Sequence, residues 1–461
     1  MRYISTRGGV QPIGFAEAVM MGLATDGGLL LPEQVPVIEA ATWRRWATLS
    51  FQELALEVMT PFVGDAVPAA DLRALVTRSC LSFSHPEITP VVRVGSRYIL
   101  ELFHGPTLAF KDVALQFLGN LFSYLLARQG GRLNILGATS GDTGSAAIHG
   151  VRGKERIHIF MIHPHGRVSP VQERQMTTVL DANVHNLAVQ GDFDDGQRIV
   201  KSLFNDLNFK NTYQLGAVNS INWARILAQI VYYVYAWGRV TGGDVDHAVT
   251  FSVPTGNFGD IFAGFMARRM GLPVRRLLLA TNRNDILSRF MATGLYQTGQ
   301  VLPTISPSMD IQVSSNFERY LYYLFQADTE RVCACMESLS RTGQFQVSAA
   351  ERALAAQEFP SVAATEAATL QQIRDTYACH QYLLDPHTAV GCHAAQAEEG
   401  SVVCLATAHP AKFAEAVCQA TGREPDLPPT FVGLAELPTR CAVVPADADA
   451  VRRFIQETLN G

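Results

Sequence analysis

From Tyr98 onward, short β-branched and aliphatic runs alternate with Gly-, Ser- and Thr-rich loops, and these give way to segments whose apolar residues recur every three or four positions. That alternation predicts strands feeding helices, the repeat of a parallel sheet with crossover helices. Three units carry it most clearly. Residues 132–138 lead through 139–144 into an Ala-rich helix, 248–253 lead through 254–259 into a helix over 260–270 stopped by Gly271, and 401–406 lead through 407–410 into a helix over 411–420. Before residue 98, the spacing of Trp43, Trp46, Phe51, Leu54, Leu56, Val58 and Phe62 predicts a helical unit. The charge-free stretch 226–238, between Arg225 and Arg239, reads as a buried helix and falls short of the roughly 20 residues a membrane span needs. Residues 348–373, rich in Ala, Glu and Gln, read as one or two surface helices. The pattern divides the chain into a mainly helical part over 1–97, a smaller α/β part over 98–220 and a larger α/β part over 221–461.

Composition narrows the function class. With 461 residues, 48% of them hydrophobic and 17% charged, the chain is long and apolar enough to bury a large core. Lys+Arg 37 against Asp+Glu 42 gives a net charge of −5, so no basic surplus exists to neutralise nucleic-acid phosphates, and neither nucleic acid nor membrane is an expected partner. Glu17 and Asp26 interrupt any secretory signal, and eight cysteines without C-x-x-C spacing point to reduced thiols in the cytoplasm. No metal is expected. Cys379, His380, His387, Cys392 and His393 match no zinc spacing, and the calcium-like run Asp192, Asp194, Asp195, Gly196 has Leu203 where a closing glutamate belongs.

Three features could carry chemistry. Lys111 follows a Gly105-Pro106 turn and begins an apolar stretch over 113–126. Desolvation there disfavours the ammonium and prepares the amine for a Schiff base, whereas the bland alternative is a snorkelling lysine paired with Asp112 or another carboxylate. The loop Gly137-Ala-Thr-Ser-Gly-Asp-Thr-Gly144 opens a helix with free N–H groups and the hydroxyls of Ser140 and Thr143. It is either a carboxylate or phosphate cradle or an ordinary capped turn, and it is no Walker A loop because no Gly-Lys-Ser/Thr follows. Thr255-Gly-Asn-Phe-Gly259 repeats the arrangement, without a dinucleotide fingerprint. Two anion cradles beside a shielded lysine suit a phosphorylated cofactor and an anionic substrate.

These residues resemble a known family. Tyr3-Ile-Ser-Thr-Arg-Gly-Gly9, Gly22-Leu-Ala-Thr-Asp-Gly-Gly-Leu-Leu-Leu-Pro32, Phe103-His-Gly-Pro-Thr-Leu-Ala-Phe-Lys-Asp112, Ser140-Gly-Asp-Thr-Gly144, Gly256-Asn-Phe-Gly-Asp260 and Ala406-Thr-Ala-His-Pro-Ala-Lys-Phe413 resemble, in order, the motifs of microbial threonine synthases. Those are pyridoxal-phosphate (PLP) enzymes of the tryptophan-synthase-β fold type. The resemblance implies two parallel-sheet α/β domains of PLP fold type II with a helical N-terminal unit. Lys111 would hold PLP; Gly256, Asn257, Phe258 and Gly259 would cradle its phosphate; Thr407 would face the pyridine nitrogen. Ser140, Gly141, Asp142 and Thr143 would bind the substrate carboxylate, although the wider fold type often carries Asn at the position of Asp142. Arg319, with Arg167 and Lys412 as further candidates, would support the leaving phosphate. The implied reaction converts O-phospho-L-homoserine and water to L-threonine and phosphate. A phospho-lyase releasing 2-oxobutyrate from the same substrate, and a PLP-binding homologue without turnover, are the competing readings. Oligomeric state is not readable from the chain.

Overall fold

The structure, a computed structural model, describes residues 1–460, and the chain folds into two compact α/β units. One comprises Met1–His104 and Ser220–Asp426; the other comprises Gly105–Asn219 and the chain from Leu427 onward.

The larger unit is built on a six-stranded sheet in the order Ser361–Ala363, Val274–Thr281, Val249–Pro254, Val402–Ala406, Arg97–Glu101, Val91–Val94. All neighbours are parallel except Val91–Val94, which runs antiparallel at one edge. Val249–Pro254 and Val402–Ala406 are buried throughout, as expected of strands covered on both faces. The smaller unit has an all-parallel five-stranded sheet in the order Ala442–Pro445, Val184–Gln190, Ile157–Pro164, Leu133–Ala138, Leu215–Gly216. The three predicted strand–loop–helix units are present, with helices at Asp142–Val151 and Gly259–Arg269. After Val402–Ala406 a 3₁₀ turn, Pro410–Phe413, precedes the helix Ala414–Thr421, with Pro410 at a first position where no intrahelical N–H bond is required.

The division differs from the three predicted parts in three places, the first being that residues 98–104, expected to open the smaller α/β part, belong to the larger unit, where Arg97–Glu101 is a sheet strand. Residues 1–97 have no core of their own: Trp43 meets Trp237 with ring centroids 6.2 Å apart and Phe62 meets Trp223 at 5.8 Å, so this segment packs on the buried helix Trp223–Thr241. It is also less purely helical than expected, since Arg2–Ser5, Ile13–Gly14 and Leu30–Pro32 form a small antiparallel sheet. The tail leaves the larger unit. Ala442–Pro445 adds a strand beside Val184–Gln190, and the helix Ala448–Asn460 puts the fully buried Val451 and Ile455 onto the core with Phe160, Leu187 and Leu203. The region 348–373 holds the expected helices Ala349–Glu358 and Glu366–His380, with the edge strand Ser361–Ala363 between them.

Candidate active site

In the smaller unit, Lys111 and Asp142 each open a helix. Lys111 begins Lys111–Gln129, a helix buried on nearly all sides, and Asp142 begins Asp142–Val151. The two helices meet at bare backbone: a Cβ on Gly119 would lie 1.9 Å from the Gly150 carbonyl oxygen. Only paired glycines allow that approach, which seats both helix starts at one end. Lys111 is 9% exposed and its Nζ donates to Asp142 Oδ2 at 3.3 Å. It is thus a buried lysine paired with a carboxylate, and it does not snorkel. Asp112 accepts from the Thr107 N–H and hydroxyl, both at 2.8 Å, which closes the turn ahead of the lysine.

The loop before Asp142 is organised by Thr139, a residue that sequence reasoning passed over. Its Oγ1 accepts from the N–H groups of Gly141 at 3.0 Å and Gly144 at 2.9 Å, and a Cβ on Gly144 would collide with its side chain. The N–H groups of Ser140 and Thr143 have no hydrogen-bond acceptor among the described residues, and Ser140 is exposed. Gln172, also unpredicted, donates from Nε2 to Asp142 Oδ1 at 2.8 Å.

In the larger unit, the loop Gly256, Asn257, Phe258, Gly259 runs into the helix Gly259–Arg269. Phe258 has φ +63°, a left-handed value uncommon outside glycine, and its side chain is held in an aromatic cluster, 5.2 Å from Phe317 and 5.1 Å from Phe359. The side chain turns inward while the backbone turns outward. The N–H groups of all four loop residues lack acceptors among the described residues. On its far side the loop is clamped by Asn316, whose N and Nδ2 both donate to the Asn257 carbonyl, at 3.0 and 3.1 Å. Side chains on the two glycines would crowd its backing, since a Cβ on Gly256 would stand 3.1 Å from the Ser308 carbonyl oxygen and one on Gly259 3.2 Å from Asn316 Nδ2. Four outward N–H groups at a helix start, with no side chain over the glycines, fit a phosphate monoester.

Thr407 follows the strand Val402–Ala406, is buried, and donates its N–H to Thr388 Oγ1 at 3.3 Å. The Thr388 hydroxyl donates to Asp385 Oδ2, whose Oδ1 accepts His387 Nδ1 at 2.8 Å, and His387 Nε2 accepts the N–H of Ser308 at 3.1 Å. One buried carboxylate therefore fixes the neutral tautomer of His387 and braces both Thr407 and the segment behind Gly256. Sequence reasoning had set His387 against zinc patterns; among the described residues no three His, Cys, Asp or Glu side chains converge to hold a metal ion.

Arg319 is a correction to the predicted set. It is fully buried, and four of its five N–H donors are engaged: Nε and one Nη2 N–H with the Leu30 carbonyl at 3.0 and 2.8 Å, the other Nη2 N–H with Ile221, and Nη1 with Asn316 Oδ1. Its neighbour Glu318 holds Thr6 at 2.6 Å and Arg7 at 2.9 Å. Together these two residues tether the N-terminal motifs, which is a structural task. Arg167 is exposed and Lys412 is buried. Arg225, unpredicted, is 4% exposed, and its Nε and Nη1 have no hydrogen-bond partner among the described residues. Burial pushes its guanidinium down to about 10.

Comparison with known proteins gives three family matches along the chain: "Threonine synthase N terminus" over residues 2–80, "Pyridoxal-phosphate dependent enzyme" over 87–359 and "Threonine synthase, C-terminal" over 388–455. The chain is 47% identical to the threonine synthase of Pseudomonas aeruginosa, covering 99% of this chain and 98% of that protein. It is 45% identical to the threonine synthase of Saccharomyces cerevisiae over the same shares. Among solved structures, PLP-bound threonine synthase from Brucella melitensis superposes with a TM-score of 0.97 at 46% identity, covering 100% of both chains. The yeast threonine synthase structure superposes with a TM-score of 0.95 at 44% identity, covering 100% of this chain and 99% of that one.

Proposed function

Because this chain belongs to the threonine synthase family of PLP-dependent enzymes, we propose that its substrate is O-phospho-L-homoserine, that with water it yields L-threonine and phosphate, and that Lys111 is the residue that holds PLP. Bound PLP supplies an electron sink that makes the substrate's Cα and then Cβ protons removable. The protein's own groups do the rest. The Lys111 amine takes and returns the protons at these carbons, and the Asp142 carboxylate at 3.3 Å favours the ammonium form after each uptake. Ser140 and Thr143, on either side of Gly141 and Asp142, offer N–H and hydroxyl donors to the substrate carboxylate, while Gly256, Asn257, Phe258 and Gly259 receive the cofactor phosphate. Thr407 presents a hydroxyl to the pyridine nitrogen and, unlike a carboxylate, cannot hold a proton there as a charged partner. Arg225 takes the place of Arg319 as the cation for the leaving phosphate, since it is the buried guanidinium with two unused nitrogens.

The observation that carries this reading is the buried Lys111 ion-paired at the start of its helix beside a loop of unpaired N–H groups. The substrate is a small molecule, and among the described residues no helix is long and apolar enough to cross a membrane. These features and eight free thiols support a cytoplasmic site of action. The deciding assay incubates the enzyme with O-phospho-L-homoserine and measures threonine, 2-oxobutyrate and phosphate together. Threonine and phosphate in equal amounts are expected; 2-oxobutyrate as the main product would make the enzyme a phospho-lyase, and no phosphate release would leave it a PLP binder.

A further inference from the structure

Asp142 is held from two sides. Oδ2 meets the Lys111 ammonium at 3.3 Å, and Oδ1 accepts from Gln172 Nε2 at 2.8 Å. The amide of Gln172 has a fixed orientation. Ser169 Oγ accepts the Gln172 backbone N–H at 3.3 Å and donates its own proton to Gln172 Oε1 at 3.0 Å, which leaves Nε2 as the end that faces the carboxylate. Gln172 is 5% exposed, and Gly141 makes room for it: with φ +145°, a Cβ on Gly141 would stand 2.4 Å from the amide carbon and Oε1. The glycine of the loop and the first turn of the helix Pro170–Thr177 are therefore matched to bring one neutral donor against a buried carboxylate.

We infer that Gln172 is a positioning residue for the lysine chemistry, holding Asp142 as an anion with Oδ2 turned to the Lys111 nitrogen and so setting the pH at which that lysine exchanges its proton. The inference rests on the reading of Lys111 given above. A hydrogen bond to the charged form keeps a buried carboxyl ionised, and an ionised partner is what gives the ammonium its stabilisation. An amide does this without adding a charge, whereas a glutamate in its place would compete with Asp142 for one proton. Other titratable groups on the packed elements have their own partners. Asp112 holds Thr107, His149 contacts the Gln175 carbonyl at 3.2 Å, Arg174 donates to the Leu437 carbonyl at 3.0 Å, and Glu173 faces His163. At the far end of its helix Arg128 meets Tyr124.

The chain has only five lysines, which makes the test tractable. In the cofactor-free full chain labelled with ¹³C-lysine, the Lys111 signal is assigned by its loss in Lys111→Arg and followed against pH. Gln172→Glu should move the Lys111 titration up by about one unit, because two carboxylates then share the ammonium. Gln172→Met fills the same space without a donor, and in the holoenzyme it should raise the acid limb of the kcat/KM profile by about one unit as Asp142 becomes easier to protonate. Unchanged titration and an unchanged acid limb overturn the inference, even if activity falls uniformly, since a merely structural residue would behave that way. Should Gln172→Met fail to fold, the isosteric Gln172→Glu decides alone. Covalent PLP persisting in Lys111→Arg would instead sink the Lys111 reading, while the Lys111 titration shift in Gln172→Glu would still report on the Gln172–Asp142–Lys111 contacts.

Discussion

At the scale of single residues, the most demanding environments lie where charge is buried. Asp260, immediately after the phosphate-type loop, accepts the hydroxyls of Tyr232 at 2.6 Å and Tyr233 at 2.8 Å on Oδ1, while Oδ2 has no partner. Burial raises its carboxyl to about 6 from an ordinary 3.8, against the lowering effect of the two tyrosines. A raised acid binds its proton more tightly in the folded state, so the stability it contributes is complete below about pH 4 and is lost as pH rises through 6. Asp260→Asn keeps the acceptor for both tyrosines and removes the titration. Its unfolding free energy in urea should therefore gain on wild type between pH 4 and pH 7, by about 3 kcal/mol at most; a difference that stays constant across that range would show that Asp260 does not titrate there. Lys111 gives the second residue-scale expectation. Lys111→Ala should lose the borohydride-trappable cofactor linkage and nearly all turnover while leaving the far-ultraviolet circular dichroism intact, as checked by mass spectrometry of the reduced protein.

At the scale of elements, the site depends on how closely two helices approach. Gly119 and Gly150 bring Lys111–Gln129 and Asp142–Val151 together with no side chain between them. Gly119→Ala puts a methyl into the Gly150 carbonyl, and the helices must separate. A destabilisation of about 1–3 kcal/mol is expected from the overpacking, despite the better helix propensity of alanine. Because both helix starts carry proposed site residues, Lys111 and Asp142, turnover should fall together with stability, and urea unfolding with parallel kinetics checks both. A stable, fully active variant would mean that the helix spacing has slack.

The whole molecule is organised by what the tail completes. The strand Ala442–Pro445 and the helix Ala448–Asn460 cover the buried face that includes Phe160, Leu187, Val189 and Leu203. Truncation after residue 440 should expose that face and an unpaired strand edge at Val184–Gln190, giving dye binding to exposed apolar surface and aggregation. A truncated chain that stays monodisperse and silent to the dye would make the tail dispensable.

Much of this was legible in the sequence, and the limits have physical reasons. Local pattern sufficed wherever the determinant is local: alternating apolar runs, the glycine-opened loops at 137–144 and 255–259, and the apolar stretch after Lys111 all lie where expected. The family was readable from motifs because each is a contiguous string. What no local pattern carries is the partner of a side chain distant in sequence. Arg319 looked like a phosphate ligand and is bound to the Leu30 carbonyl, 289 residues away. Gln172 and Asp385, which drew no reading from the sequence, brace Asp142 and Thr407. The sequence by itself determined the strand and helix periods, the glycine-opened loops and the family, because these follow from backbone chemistry, side-chain spacing and contiguous motifs. Only the tertiary structure decided which buried polar groups meet, because a buried donor or acceptor must find its partner wherever the fold delivers one.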